Sequence, residues 1–275
     1  MKVQCDICPQ ACMLDEGQAG FCRARSARDG VVQSDNYGLI TSMALDPIEK
    51  KPLRRFHPGS TILSVGSFGC NLRCAFCQNH EISMCRKAQA RTVYVSPEEL
   101  VDKALALKAS RNIGIAYTYN EPLIGYEYVR DCASLAKENG LVNVLVTNGY
   151  INEAPLHALL PDIDAMNIDL KAFTEAFYKT LHGHIEPVKR TIVIAAAQCH
   201  VEVTTLIIPG QNDSPDEMRA LSDWLAGIRE DIPLHISRFF PRYQMADGSA
   251  TPVETIYALA DIARGSLRHV YTGNC

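Results

Sequence analysis

From residue 61 onward, short runs of β-branched and aliphatic residues alternate with stretches of helical period, and this alternation narrows the possible folds most. The spacing predicts strands at 61–65, 113–117, 142–146, 165–170, 201–208, 234–239 and 269–272. Helical stretches between successive strands imply βαβ units, right-handed crossovers and a parallel sheet. About six such units follow residue 61, short of the eight that close a barrel, so the fold class is α/β with a partial (β/α)6 TIM-like barrel over 61–275. Sites in such folds sit at the carboxyl ends of the strands.

Local signals agree with that alternation. Ser96-Pro97-Glu98-Glu99 and Ser214-Pro215-Asp216-Glu217 each read as a capping box with a first-turn proline. A helix from about Pro122 is predicted to end at Gly140 in a left-handed cap.

Three cysteines follow the first strand directly: Cys70, Cys74 and Cys77, spaced C-x3-C-x2-C. Structural zinc takes four closed ligands, and a cubane iron–sulfur cluster takes one thiolate per iron. Three thiolates in one loop with no local fourth leave one iron of a [4Fe–4S] cluster open to a substrate or cofactor. Residues 1–60 lack the strand–helix rhythm and read as a separate cysteine-rich module. There Cys5, Cys8, Cys12 and Cys22 fall as C-x2-C-x3-C-x9-C, four soft ligands suited to zinc or to an auxiliary iron–sulfur cluster, with a metal-free module the remaining alternative. The locally basic Lys50, Lys51, Arg54 and Arg55 read as a solvated patch or as a contact for a phosphate or acidic partner.

Composition adds exclusions. A formal net charge of −4 with 21% charged residues provides no general attraction to nucleic acid or anionic membrane. The longest aliphatic run, 192–197, is far below a membrane span, and the N-terminus turns polar too early for a secretory signal. Eleven cysteines in such a chain point to metal or catalysis in a reducing compartment, and the cytoplasm is the expected location.

The loop Cys70–Cys77, with Phe76 before its last cysteine, resembles the signature of the radical S-adenosylmethionine (SAM) superfamily. Asp46-Pro47-Ile48-Glu49-Lys50-Lys51-Pro52-Leu53, Cys77-Gln78-Asn79, Ala116 through Pro122, His235 through Pro241 and Val270 through Asn274 together resemble the AmmeMemoRadiSam-system radical SAM proteins. That group is related to the pyruvate formate-lyase activating enzymes. The resemblance implies that Cys70, Cys74 and Cys77 bind a [4Fe–4S] cluster whose open iron is chelated by SAM. One electron, from a donor such as flavodoxin or ferredoxin, would break the sulfonium bond to give methionine and a 5′-deoxyadenosyl radical.

It also implies a seat for the cofactor at later strand ends. Tyr119-Asn120-Glu121-Pro122 stands where relatives have Gly-Gly-Glu-Pro, so Asn120 and Glu121 become candidates; Glu121 would accept from the SAM ammonium, or else serve as a helix-start acid. Thr147-Asn148-Gly149 and Asp169-Leu170-Lys171 resemble activase segments, which makes Thr147, Asn148, Asp169 and Lys171 candidates; strand alternation puts Asp169 and Lys171 on one face. A surface ion pair is the plain alternative for those two. Activators carry an aspartate before Thr-Asn-Gly where this chain has Val146, which leaves a monovalent cation site open. His80 and Arg238 are weaker substrate candidates, and His235 reads as a core histidine.

The function that follows is reductive SAM cleavage and hydrogen abstraction from an unidentified substrate. The alternatives are an activase that installs a glycyl radical on a partner enzyme, a modifier of a small molecule or peptide, and an iron–sulfur redox sensor or electron carrier that never cleaves SAM.

Overall fold

The computed structural model describes residues 2–275. The chain opens with two small antiparallel ladders. β1 (Val3–Gln4) pairs with β2 (Met13–Leu14), and β3 (Arg25–Arg28) pairs with β4 (Val31–Ser34). β5 (Leu39–Ile40) follows, then β6 (Ser42–Pro47), β7 (Thr61–Gly66), the short helix α1 (His80–Ser83) and β8 (Val93–Tyr94), which pairs back to β5.

The remainder alternates regularly. α2 (Pro97–Ala106), β9 (Asn112–Tyr117), α3 (Tyr126–Glu138), β10 (Val142–Thr147), α4 (Glu153–Leu159) and β11 (Ala165–Asp169) come first. Then follow α5 (Glu175–Thr180), α6 (Ile185–Ala196), β12 (His200–Ile207), α7 (Pro215–Ile228), β13 (Leu234–Arg238), α8 (Val253–Ala263) and β14 (Val270–Gly273). The main sheet runs β14-β13-β12-β11-β10-β9-β7-β6, parallel from β7 to β14. Its two edge strands do not pair with each other, so the barrel is open, and the predicted strands each lie within a residue of the observed ones.

The inner strands β7, β9, β10 and β11 are buried on both faces, as parallel strands covered by helices must be. Leu63, Ile115, Leu145, Met166 and Val203 pack into the helix-facing core. Ile62, Ala116, Val144 and Ala165, one residue out of step, form a second cluster on the opposite face that Ile48 and Leu53 close off. Below it the fully buried Glu202 accepts from the backbone N–H groups of Arg54 (3.0 Å) and Arg55 (2.7 Å) and contacts His235 (2.6 Å) and His200 (2.9 Å). His235 is thus held in the core as expected.

Three expectations need revision. β6, assigned on sequence to the 1–60 module, is the antiparallel edge of the barrel sheet, so the sheet begins at Ser42. Lys51 is not part of a solvated patch: it is buried, 2.9 Å from Asp46, with its ammonium over the Tyr119 ring. The Ser96 cap forms the reciprocal box, but at Ser214 only half of it exists. Ser214 accepts from Glu217 N–H, whereas the Glu217 carboxylate turns away to accept from Phe173 N–H at 2.6 Å.

Candidate functional site

β7 delivers the chain to the functional rim, and Cys70, the first cysteine of the loop, stands four residues past its end. Gly69 has φ +88°, and a Cβ there would lie 2.6 Å from the Cys22 carbonyl oxygen, so only glycine fits. The close approach allows Cys70 N–H to donate to the Cys22 carbonyl at 3.3 Å. Arg73 clamps the loop from outside: its guanidinium donates to the carbonyls of Cys70 and Leu72, both at 2.9 Å, and of Phe21, and it covers the Phe21 ring at 3.9 Å. Phe76 is buried near Phe177.

Cys74 is buried, and Cys70 and Cys77 are half-buried. Burial pushes the Cys74 thiol up to about 11 and the Cys70 thiol well above its ordinary range, so bound metal must displace their protons. Among the described residues, no three His, Cys, Asp or Glu side chains gather as they would around one ion. Three soft donors on one loop fit a [4Fe–4S] cluster with one iron left to another ligand.

Glu121, Thr147 and Asn148 come together beneath this loop. Glu121 Oε1 accepts from Thr147 Oγ1 (2.7 Å) and Leu123 N–H (3.0 Å), and Oε2 accepts from Asn148 N–H (2.8 Å). Burial outweighs those donors and raises its carboxyl to about 7. Asn148 Nδ2 donates to Asn71 Oδ1 at 2.9 Å and reaches Cys70 Sγ at 3.7 Å, while Gly149, at φ +68°, turns the chain. Asn120 accepts from Ser67 N–H and donates to the carbonyls of Gly69 and Glu121, so its amide braces the entry to the cysteine loop. Glu121 is therefore both the helix-start acid of the plain reading and the hub of the rim.

Asp169 and Lys171 share a face, as predicted, and pair at 2.9 Å. Lys171 is largely buried rather than a surface residue. Burial opposes its charge, but Asp169 and the Cys74 sulfur outweigh burial and hold the ammonium above its ordinary range. His80 stacks on Tyr243 at 4.4 Å, and its Nδ1 lies 3.3 Å from the Cys77 carbonyl oxygen. Arg238 commits its Nε to the Thr251 carbonyl at 2.6 Å and lies over Phe240.

Cys5, Cys8, Cys12 and Cys22 line a single pocket with Ile7, Leu14, Ile124 and Arg25. The turn between β1 and β2 is drawn tight by Cys5 N–H to the Cys12 carbonyl (2.9 Å) and Ala11 N–H to the Cys8 carbonyl (3.1 Å). Burial pushes Cys8 up to about 12 and Cys22 up to about 11.

Several residues were missed on sequence. Asn71 bonds Asn148 and the Tyr150 carbonyl (2.7 Å), and its side chain reaches the Cys8 thiol. Gln244 N–H donates to the Ala75 carbonyl at 3.0 Å, bringing the segment after β13 onto the cysteine loop. Arg25 forms a bidentate pair with Glu127 at 2.6 and 2.7 Å. The asparagine within Cys70-Asn71-Leu72 was a weak signal; the other contacts join positions too distant in sequence to be read.

The model of the radical SAM superfamily matches residues 64–224. An uncharacterized protein of Methanocaldococcus jannaschii is 41% identical over 99% of this chain and 81% of its own length. The pyruvate formate-lyase 1-activating enzyme of Escherichia coli strain K12 is 24% identical over 57% of this chain, a match spanning 65% of that enzyme. Among solved structures, a radical SAM methyltransferase from Sphaerobacter thermophilus superposes with TM-score 0.57 at 18% identity, over 79% of this chain and 67% of its own.

Proposed function

The chain belongs to the radical SAM superfamily, and we propose that it cleaves SAM at Cys70, Cys74 and Cys77 to abstract hydrogen from a substrate yet to be identified. The superfamily uses a [4Fe–4S] cluster and SAM, which together supply reductive cleavage to methionine and a 5′-deoxyadenosyl radical. The observation that carries the reading is a loop of three free thiols above a braced floor at the ends of β9 and β10.

In this reading the chain's residues divide the work. Cys70, Cys74 and Cys77 hold the cluster. Glu121, Thr147, Asn148 and Asn120 fix the loop so that the cofactor meets a preorganised rim. The Asp169–Lys171 pair beside Cys74 offers a carboxylate to the SAM ammonium and an ammonium to its carboxylate. His80 and Arg238 stand at the substrate side, with Tyr243 against His80. Eleven cysteines would keep their thiols in a reducing cytoplasm, where a low-potential donor such as flavodoxin or ferredoxin would supply the electron. Among the described residues, no helix is long and apolar enough to cross a membrane.

Protein carrying a full cluster, reduced anaerobically with dithionite in the presence of SAM, should yield 5′-deoxyadenosine. No 5′-deoxyadenosine from such protein would overturn the reading. Cys74→Ala should lose both the cluster absorbance and the product. A second reading, that the substrate is a glycine of a partner enzyme, is favoured by similarity to the activating enzyme. Its test is a glycyl-radical EPR signal in a co-incubated candidate partner.

A further inference from the structure

We infer that Cys5, Cys8, Cys12 and Cys22 hold a second iron–sulfur cluster, a fully thiolate-ligated [4Fe–4S] cubane that relays single electrons to the cluster at Cys70, Cys74 and Cys77. The relay rests on the function proposed above; the existence of the second cluster does not.

Three observations carry it. The first is the arrangement of donors. All four thiols line one pocket, which gives a cubane one thiolate for each iron.

The second is Arg25. Its guanidinium lines the pocket, and its Nε–H is the one buried side-chain polar atom among the described residues without a partner. The Nη groups are already held by Glu127 and the Ile124 carbonyl. A buried donor left unpaired is costly, and a thiolate or sulfide in the pocket would accept it. The positive charge would also favour the reduced, more negative state of a cluster.

The third is the junction between the two sites. Cys70 N–H donates to the Cys22 carbonyl, so a ligand of one set is hydrogen-bonded to a ligand of the other. A second path runs from the Cys8 thiol through Asn71 and Asn148 to Cys70 Sγ. Structural zinc needs no such continuity, whereas electron transfer gains from short, bonded paths.

The step balances without moving atoms. A reduced one-electron donor protein of the flavodoxin or ferredoxin class takes the N-terminal cluster from the 2+ to the 1+ state. The N-terminal cluster then returns to 2+ as the Cys70/Cys74/Cys77 cluster goes from 2+ to 1+. With four thiolates it has no open iron and binds no SAM.

The test begins with a C70A/C74A/C77A variant, reconstituted anaerobically, in which only the N-terminal site remains. About four irons and four sulfides per chain are expected, with an EPR signal on dithionite reduction that SAM does not change. Zinc near one per chain, or no iron, overturns the cluster whatever the wild type does with SAM. Cys12→Ser and Cys22→Ser, with the other loop intact, should leave the SAM-dependent EPR signal under dithionite but slow reduction by flavodoxin hydroquinone about tenfold. An unchanged rate in both overturns the relay. Arg25→Lys in the triple-alanine background should keep the iron and make the midpoint potential more negative; an unchanged potential removes Arg25 from the argument.

Discussion

Tyr119 has φ +71°, a backbone conformation that a bulky side chain rarely adopts. The structure compensates by tying its hydroxyl to Asp46 at 2.7 Å and placing Lys51 over its ring at 4.7 Å. Tyr119→Gly would relieve about 1 kcal/mol of left-handed strain but lose a charge-assisted bond of about 1.5–3 kcal/mol and a cation–π contact of about 0.5–1 kcal/mol. The expected outcome is a net loss of about 1–3 kcal/mol in urea unfolding, so the glycine that relatives place there is not a simple improvement in this chain. Glu121 carries the second residue-scale prediction. Burial raises its folded carboxyl to about 7 from an ordinary 4.5, so the folded state binds the extra proton between those values. Apo-protein stability should therefore fall as pH rises from about 4.5 to 7, by at most roughly 3 kcal/mol. Glu121→Gln should flatten that slope, and it should weaken SAM-dependent product formation at least about tenfold because its NH2 would oppose Thr147, Leu123 or Asn148 donors. Glu121 was legible in sequence as a rim acid. Its donors Thr147 and Asn148 were not, since they lie 26 and 27 residues away.

At the scale of elements, the two serine caps look equivalent in sequence and differ in the fold. Ser96→Ala and Ser214→Ala should each cost about 1 kcal/mol, read as a lowered Tm. The glutamates separate them. Glu99→Gln should weaken only α2, whereas Glu217→Gln loosens the Phe173 backbone just past Lys171 and should lower SAM affinity as well as stability. The parallel strands were readable because buried β-branched runs between helices have few other solutions. β6 was not, because Ser42–Pro47 carries a mixed burial pattern and ends in proline, and an antiparallel edge needs no crossover helix to announce it. The basic run hid Lys51 for a related reason: its partner Asp46 sits five residues away, on that unrecognised strand.

For the whole molecule, Glu202 ties the segment holding Arg54 and Arg55 to β12 and β13 at the end of the barrel opposite the cysteines. Burial alone would raise its carboxyl, but the two imidazoles and two amides outweigh burial and hold it near 2. The stability this contributes is fully present above about pH 4.5 and is lost as pH falls toward 2, a change of roughly 3 kcal/mol. Glu202→Gln should lower stability at pH 7 and shrink the acid-side slope in urea titrations. His235 was recognised as a core histidine from its place near the strand start, yet its partner could be found only in three dimensions. At the opposite end, Gly69 gives way to the Cys22 carbonyl, so two loops far apart in sequence occupy space that neither could fill alone. The N-terminal cysteine segment is consequently not a cassette. A chimaera that grafts another protein's segment onto this barrel must reproduce the path of one carbonyl oxygen, or the graft will disturb the loop it was meant to leave alone.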